Sequence, residues 1–212
     1  MTTILRIDAS ARSTGSVSRA LGNYFEKVWL NHYPRDRILR RDVSAVPIEH
    51  IDDQTIAGFD TPADLFTDDL RAATALSDLL INEAHAADVL LLTVPMYNFS
   101  VPSALKAWID HVVRVGHTFS FDGANFSGLL TGRQAYVICA YGGIGYLGKG
   151  QLAEADFVAP YLEFILGFLG VELMQVFAVE GTMGDEIALA ASTERVKREI
   201  EAAIAAASEA AA

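Results

Sequence analysis

A single cysteine, Cys139, stands in the 212 residues, which excludes an intrachain disulfide and any cluster of thiolate metal ligands. It falls inside an apolar, strand-like segment, where a buried thiol serves as a small hydrophobe. Basic residues are few: 16 lysines and arginines against 27 acidic residues leave a net charge of −11. No stretch gathers the positive charges on one face, so nucleic acid and anionic membrane surfaces are poor partners. No apolar run reaches the roughly 18 residues that a membrane-spanning helix needs. The longest candidate, Tyr161 to Val179, is broken by Glu163 and Glu172. The opening residues, Met1-Thr2-Thr3-Ile4-Leu5-Arg6, run into a strand pattern and lack the parts of a secretory signal, so a cytoplasmic protein is expected. No G-x-S-x-G elbow occurs, which sets aside a serine hydrolase. The histidines, His32, His50, His85, His111 and His117, show no metal-ligand spacing with one another or with carboxylates, and no metal is expected. His111 and His117 flank a helix end and are expected at the surface or as caps. Asp8 ends the first strand, but no neighbour in sequence completes a catalytic acid site around it.

What the chain does have is an alternation of short apolar runs with amphipathic segments. Val89-Leu90-Leu91-Leu92-Thr93-Val94 is a continuous run of the kind covered on both faces, and it stops at Pro95. Met96-Tyr97-Asn98-Phe99-Ser100-Val101-Pro102 follows, too apolar for a solvated turn and too punctuated by proline to prolong the strand. Pro102 opens a helix over Ser103 to about Val115, with Leu105, Trp108, Ile109, Val112 and Val113 on one face and Lys106, Asp110 and Arg114 on the other. Before this unit, Ile4 to Asp8 reads as a strand, a helix begins near Ser18 and stops at Pro34, and Arg37 to Val43 reads as a charged strand near an edge. Ser44 to Asp64 reads as a long irregular connection. Further helices are expected over Leu65 to Ala87, Asp156 to Leu169 and Asp185 to about Ala207. Strands are expected over Gln134 to Ala140 and Val171 to Val179, with a small hairpin carrying Phe119, Phe121 and Phe126 between Gly116 and Gly132. The tail, Ser208 to Ala212, is expected to fray. This alternation calls for an α/β, three-layer domain: a five-stranded parallel sheet in the flavodoxin-like order 2-1-3-4-5, helices on both faces, one domain over residues 1–212.

Three loops stand out. Ser10 to Ser18 sets the hydroxyls of Ser10, Ser16 and Ser18 at a helix start, where unpaired N–H groups and the helix dipole favour an anion. It holds no lysine, so a monophosphate suits it better than a triphosphate with magnesium; Ser16 or Ser18 can cap the helix as well. Met96, Tyr97 and Phe99 either pack down their loop or hold a flat ligand, and composition leaves both open. In the third loop, Tyr141 to Gly150, the glycines at 143, 145 and 148 spell a dinucleotide-type pattern and Gly143 to Lys149 nearly a Walker A loop. Gly150 stands where the Walker loop needs Ser or Thr, and Lys149-Gly150-Gln151 delays the helix that the dinucleotide pattern needs. Glycine is expected there to let backbone approach something flat.

With the hydroxyl loop, Pro95-Met96-Tyr97-Asn98-Phe99 and Tyr141-Gly142-Gly143, the chain resembles, nearly end to end, the bacterial FMN-dependent NADH azoreductases, also called quinone reductases. Leu105-Lys106 and Gly116 to Phe119 extend the likeness. The resemblance implies a flavodoxin-like fold, one tightly but noncovalently bound FMN per subunit, and a homodimer with active sites at the interface. Carried over residue by residue, Ser10, Ser16, Val17 and Ser18 hold the phosphate, Val17 through its backbone alone. Met96, Tyr97, Asn98 and Phe99 lie against the isoalloxazine ring, and Ala140, Tyr141, Gly142 and Gly143 close its other side. Ala140 stands where the family often has serine, which removes a hydroxyl contact. Phe121 and Phe168 match rings near the substrate pocket. The implied activity is ping-pong transfer of two electrons from NADH or NADPH to quinones, with reductive cleavage of azo compounds. FMN carries the chemistry and no side chain acts as catalyst. Such hydride transfer asks the protein for stacking, orientation and exclusion of water. The alternative is a flavodoxin-like carrier of single electrons to a protein partner, against which the length and the aromatic insertion speak; a cofactor-free binding domain is a third reading.

Overall fold

Four largely apolar runs and one charged edge strand pair in parallel. In the computed structural model, which describes residues 1–210, β1 (Thr3–Asp8), β2 (Arg37–Asp42), β3 (Val89–Pro95), β6 (Gln134–Ala140) and β7 (Leu173–Val179) form one sheet in the order β2-β1-β3-β6-β7. The remaining strands, β4 (Phe119–Phe121) and β5 (Phe126–Gly128), pair as the expected antiparallel hairpin; with them set aside, the order is 2-1-3-4-5. β3 is central, in register with Ile4 on one side through Val89 and with Gln134 on the other.

Side chains alternate between two cores, as a pleated strand requires. On one face Ile4, Leu91, Ile138 and Phe177 meet α1 (Val17–His32) through Leu21, Phe25 and Trp29, and α6 (Glu186–Ala210) through Val196, Ile200 and Ile204. On the other, Leu5, Leu90, Leu92, Val137 and Cys139 meet α3 (Asp68–Ala86), α4 (Ser103–Val112) and α5 (Ala159–Phe168) through Leu80, Trp108 and Leu162. Gly22 lets α1 sit close on β3, since a Cβ there would stand 2.6 Å from Thr93 Cγ2.

Several expectations change. Ser44 to Asp64 contains a helix, α2 (Asp53–Asp60), whose sequence carries no apolar stripe; Asp52 caps it by accepting the Thr55 N–H at 2.8 Å. α3 starts at Asp68 behind a Thr67 cap, and Leu65 is exposed in a preceding 3-10 turn. α4 ends at Val112, so Arg114 leaves the helix face assigned to it; it is buried, 2.6 Å from Asp78 and stacked over Phe59. His111 is buried instead of exposed, with Nε2 2.9 Å from the Glu49 carbonyl oxygen, while His117 is exposed. α5 starts at Ala159 instead of Asp156, and α6 continues through Ala210, so the part of the tail expected to fray that is described, 208–210, is helical. Residues 211 and 212 of the tail lie outside the described residues. No helix among the described residues is long and apolar enough to cross a membrane.

Candidate functional site

Strand order reverses at β1 and β3, and there the loops after β1, β3 and β6 converge at the carboxyl edge of the sheet, where open α/β sheets bind ligands. The hydroxyl loop is shaped by the start of α1. Ser16 caps the helix, its Oγ accepting the Arg19 N–H at 3.4 Å and lying 3.2 Å from Ser18 Oγ. The Val17 and Ser18 N–H groups open the helix without partners among the described residues. Ser10 is buried, and its Oγ accepts the Arg12 N–H at 3.2 Å. Behind the loop, Arg19 donates to the Ser10 carbonyl at 2.6 Å and to both Asp42 oxygens at 2.5 and 2.8 Å, which holds the Asp42 carboxyl below its ordinary range. Asp8 belongs to this scaffold: Arg6 reaches it at 3.0 Å and the Thr93 hydroxyl donates to it at 2.7 Å.

The aromatic loop is a tight reversal. Tyr97 and Ser100 exchange backbone bonds of 3.0 and 3.1 Å around Asn98 and Phe99, whose φ angles are 48° and 70°, the signature of a type I′ turn. Phenylalanine rarely occupies the left-handed region, and such strain collects at ligand sites. The Met96 N–H is spent on the Ala140 carbonyl and the Tyr97 N–H on Ser100, leaving those of Asn98 and Phe99 without partners among the described residues. The Tyr97 hydroxyl accepts the Ala11 N–H at 3.1 Å and ties this turn to the hydroxyl loop.

The third loop uses its backbone. Tyr141 is fully buried; its hydroxyl lies 2.9 Å from Asp156, and burial raises its phenol far above the usual range. At Gly142 an added Cβ would stand 3.0 Å from Met183 Sδ, a close contact with the end of an exposed, flexible side chain. The segment after β7 folds back onto it, with Thr182 and Met183 donating to the Tyr141 and Gly142 carbonyls at 3.0 and 3.1 Å. Gly150 answers a different need from the one expected: a Cβ there would fall 2.2 Å from the Gly145 carbonyl oxygen, so these glycines let the loop pack on itself. Cys139, just before this loop, is buried and its thiol is pushed up to about 12.

A cleft of about 190 Å³ results, which brings together Ser10, Ser16, Val17, Ser18, Met96, Tyr97, Ala140 and Gly142. Arg12, Thr182 and Met183 line it too; sequence reading passed over them, although Thr182 and Met183 follow a parallel strand's carboxyl end, the rule that flagged the other loops. Asn98 instead lines an adjoining cavity of about 670 Å³ with His50, Lys106, Phe157 and Tyr161, and Tyr97 lines both. Phe99 and Gly143 sit beside the cleft without lining it. Phe121 and Phe168 are not brought to it either: with Phe126 they form a ring cluster at the hairpin, at 4.6 and 5.6 Å from its centroid.

A family model described as a flavodoxin-like fold matches residues 2–204. The chain is 54% identical to the FMN-dependent NADH:quinone oxidoreductase of Xanthobacter autotrophicus over 83% of its own length and 85% of that protein. The chain belongs to the FMN-dependent NADH:quinone oxidoreductase family. A second member, from Hydrogenovibrio crunogenus, is 39% identical over 95% of this chain and 98% of its own. Among solved structures, an FMN-dependent NADH-azoreductase from Bacillus anthracis in complex with FMN superposes with a TM-score of 0.86 at 23% identity, covering 97% of this chain and 99% of that one. That likeness is one of fold.

Proposed function

We propose that this chain binds FMN noncovalently and transfers two electrons from NADH or NADPH to quinones and azo compounds, as a single flavodoxin-like domain over residues 1–212, in the cytoplasm. The observation that carries the reading is the meeting, at the switch point, of an anion-binding helix start with a strained turn whose N–H groups are free. The donor set fits this cofactor. Val17 and Ser18 N–H groups with the Ser10, Ser16 and Ser18 hydroxyls suit a phosphate, and the unpaired Asn98 and Phe99 N–H groups, in the turn between the cleft and the adjoining cavity, suit the polar edge of a flavin ring. Met96 and Tyr97 supply one wall, and Ala140 and Gly142, backed by Thr182 and Met183, the other. When bound, FMN supplies the redox chemistry, accepting a hydride from the nicotinamide and delivering two electrons to the acceptor. The protein's part is to orient the reactants and exclude water. No carboxylate or histidine is among the described residues lining the cleft, so the product's protons come from solvent.

The same reading includes a homodimer with its active sites at the interface. Exposed Phe121, Phe126 and Phe164, linked through Phe168, make an apolar surface larger than scattered single residues would, and a partner's copy of this cluster would cover the open cavity lined by Tyr97 and exposed Phe157. The names and sequence similarity of the curated relatives favour this enzyme over the single-electron carrier. The test is anaerobic stopped-flow absorbance of FMN-loaded protein mixed with NADH and then benzoquinone. Rapid bleaching followed by rapid recovery is expected; absence of FMN binding, or of bleaching by either nicotinamide, would overturn it.

A further inference from the structure

We propose that the Arg12 guanidinium supplies the counter-charge for the cofactor's terminal phosphate and so sets the preference for a phosphorylated flavin over its unphosphorylated form. The inference rests on the FMN reading above. Arg12 lines the cleft beside Ser10, Gly15, Ser16 and Ser18, and it is the one charged side chain among the described residues that do so. Its guanidinium has no ion-pair or hydrogen-bond partner among the described residues.

The surroundings explain why one free cation matters. Directly behind the loop, Arg6, Arg19 and Arg40 face Asp8, Glu26 and Asp42, three guanidiniums against three carboxylates, so this scaffold presents no net charge to the cleft. The hydroxyls and the start of α1 offer dipoles only. The whole chain carries a net charge of −11, which disfavours a dianion arriving from solvent. Among the described residues Arg12 is therefore the only full positive charge lining the phosphate end, and its planar fork suits two phosphate oxygens at once. Its base is held in place. The Arg12 N–H donates to Ser10 Oγ at 3.2 Å, and the neighbouring Ala11 N–H donates to the Tyr97 hydroxyl at 3.1 Å.

The test titrates flavin-stripped full-length protein with FMN and with riboflavin, following quenching of flavin fluorescence, for the wild type, Arg12→Ala and Arg12→Lys at low and high salt. Arg12→Ala should weaken FMN binding by about 10- to 100-fold, the range expected for a charge-assisted hydrogen-bonded pair. Riboflavin binding should stay within about twofold, because it lacks the group Arg12 meets. The salt dependence of FMN affinity should flatten in Arg12→Ala and persist in Arg12→Lys. Equal loss for both flavins, or no change in FMN affinity, would overturn the proposal while leaving the FMN reading intact. A wild type that binds neither flavin would overturn that reading itself.

Discussion

Asp8 ends β1 with a buried carboxylate enclosed by Arg6, Arg19 and the Thr93 hydroxyl. Removing it leaves Arg6, 3% exposed, with Glu26 at 3.2 Å as its one remaining carboxylate among the described residues. Asp8→Ala should destabilise the fold by about 1.5–3 kcal/mol, the usual cost of losing hydrogen bonds to a charged group, read from the midpoint of urea unfolding. Asp42 makes a different prediction. Its folded carboxyl is held below the ordinary range, first by the Arg19 hydrogen bond, so the unfolded state binds the proton more readily. The stability that Asp42 contributes is present above the unfolded carboxyl's pKa near 4 and lost as pH falls through its lower folded value. Asp42→Asn should lower the melting temperature at pH 7 by an amount that shrinks towards pH 3, with a loss of about 1 kcal/mol at neutrality. Cys139 is buried with its thiol pushed up to about 12, so the folded protein should resist iodoacetamide at pH 8 and react only once unfolded, as mass spectrometry would show.

At the scale of elements, the Tyr97–Ser100 turn trades stability for reach. Phe99 at φ 70° sits in a region that costs a side chain about 1–2 kcal/mol and glycine almost nothing. Phe99→Gly should therefore leave the melting temperature unchanged or raise it while lowering turnover with quinone; a variant both less stable and less active would deny that the turn stores strain for function. This turn is tied to α5 as well. The Phe157 N–H donates to the Phe99 carbonyl at 3.1 Å, and Asp156 accepts from the Val158 N–H at 2.9 Å and meets the Tyr141 hydroxyl. Asp156→Ala should cost about 1–2 kcal/mol by orphaning a buried phenol and the amides that open α5, measurable by thermal melting.

For the whole molecule, the exposed rings carry the expectation. Phe164 on α5 is 69% exposed and stacks on Phe168, and Phe126 on the hairpin is 60% exposed and stacks on Phe121. In the proposed homodimer a partner subunit would remove that area from water. Sedimentation at micromolar concentration should show a dimer for the wild type and a shift towards monomer for Phe164→Asp, with quinone turnover falling in step if the partner completes the site.

The sheet was legible in the sequence because burial on both faces leaves an unmistakable mark: Val89 to Val94 is apolar but for Thr93, Ala135 to Ala140 is apolar, and both are too short for helices. The serine loop and the aromatic loop were visible for a related reason, since Ser10, Ser16 and Ser18 before a helix, and Tyr97 and Phe99 in a turn, are residues local folding alone does not call for. α2 was hidden, because Asp53 to Asp60 has no apolar stripe and is held by its cap and by Gly58 packing on Thr74. The burial of His111 and Arg114 was hidden too, as it depends on Glu49 and Asp78 from distant parts of the chain. What only the tertiary structure decided is which groups remain free at the cleft. The identity of a residue states what it can bond to, whereas whether it is already bonded depends on contacts across the fold; Arg19 is consumed by Ser10 and Asp42, and Arg12, seven positions earlier, is not.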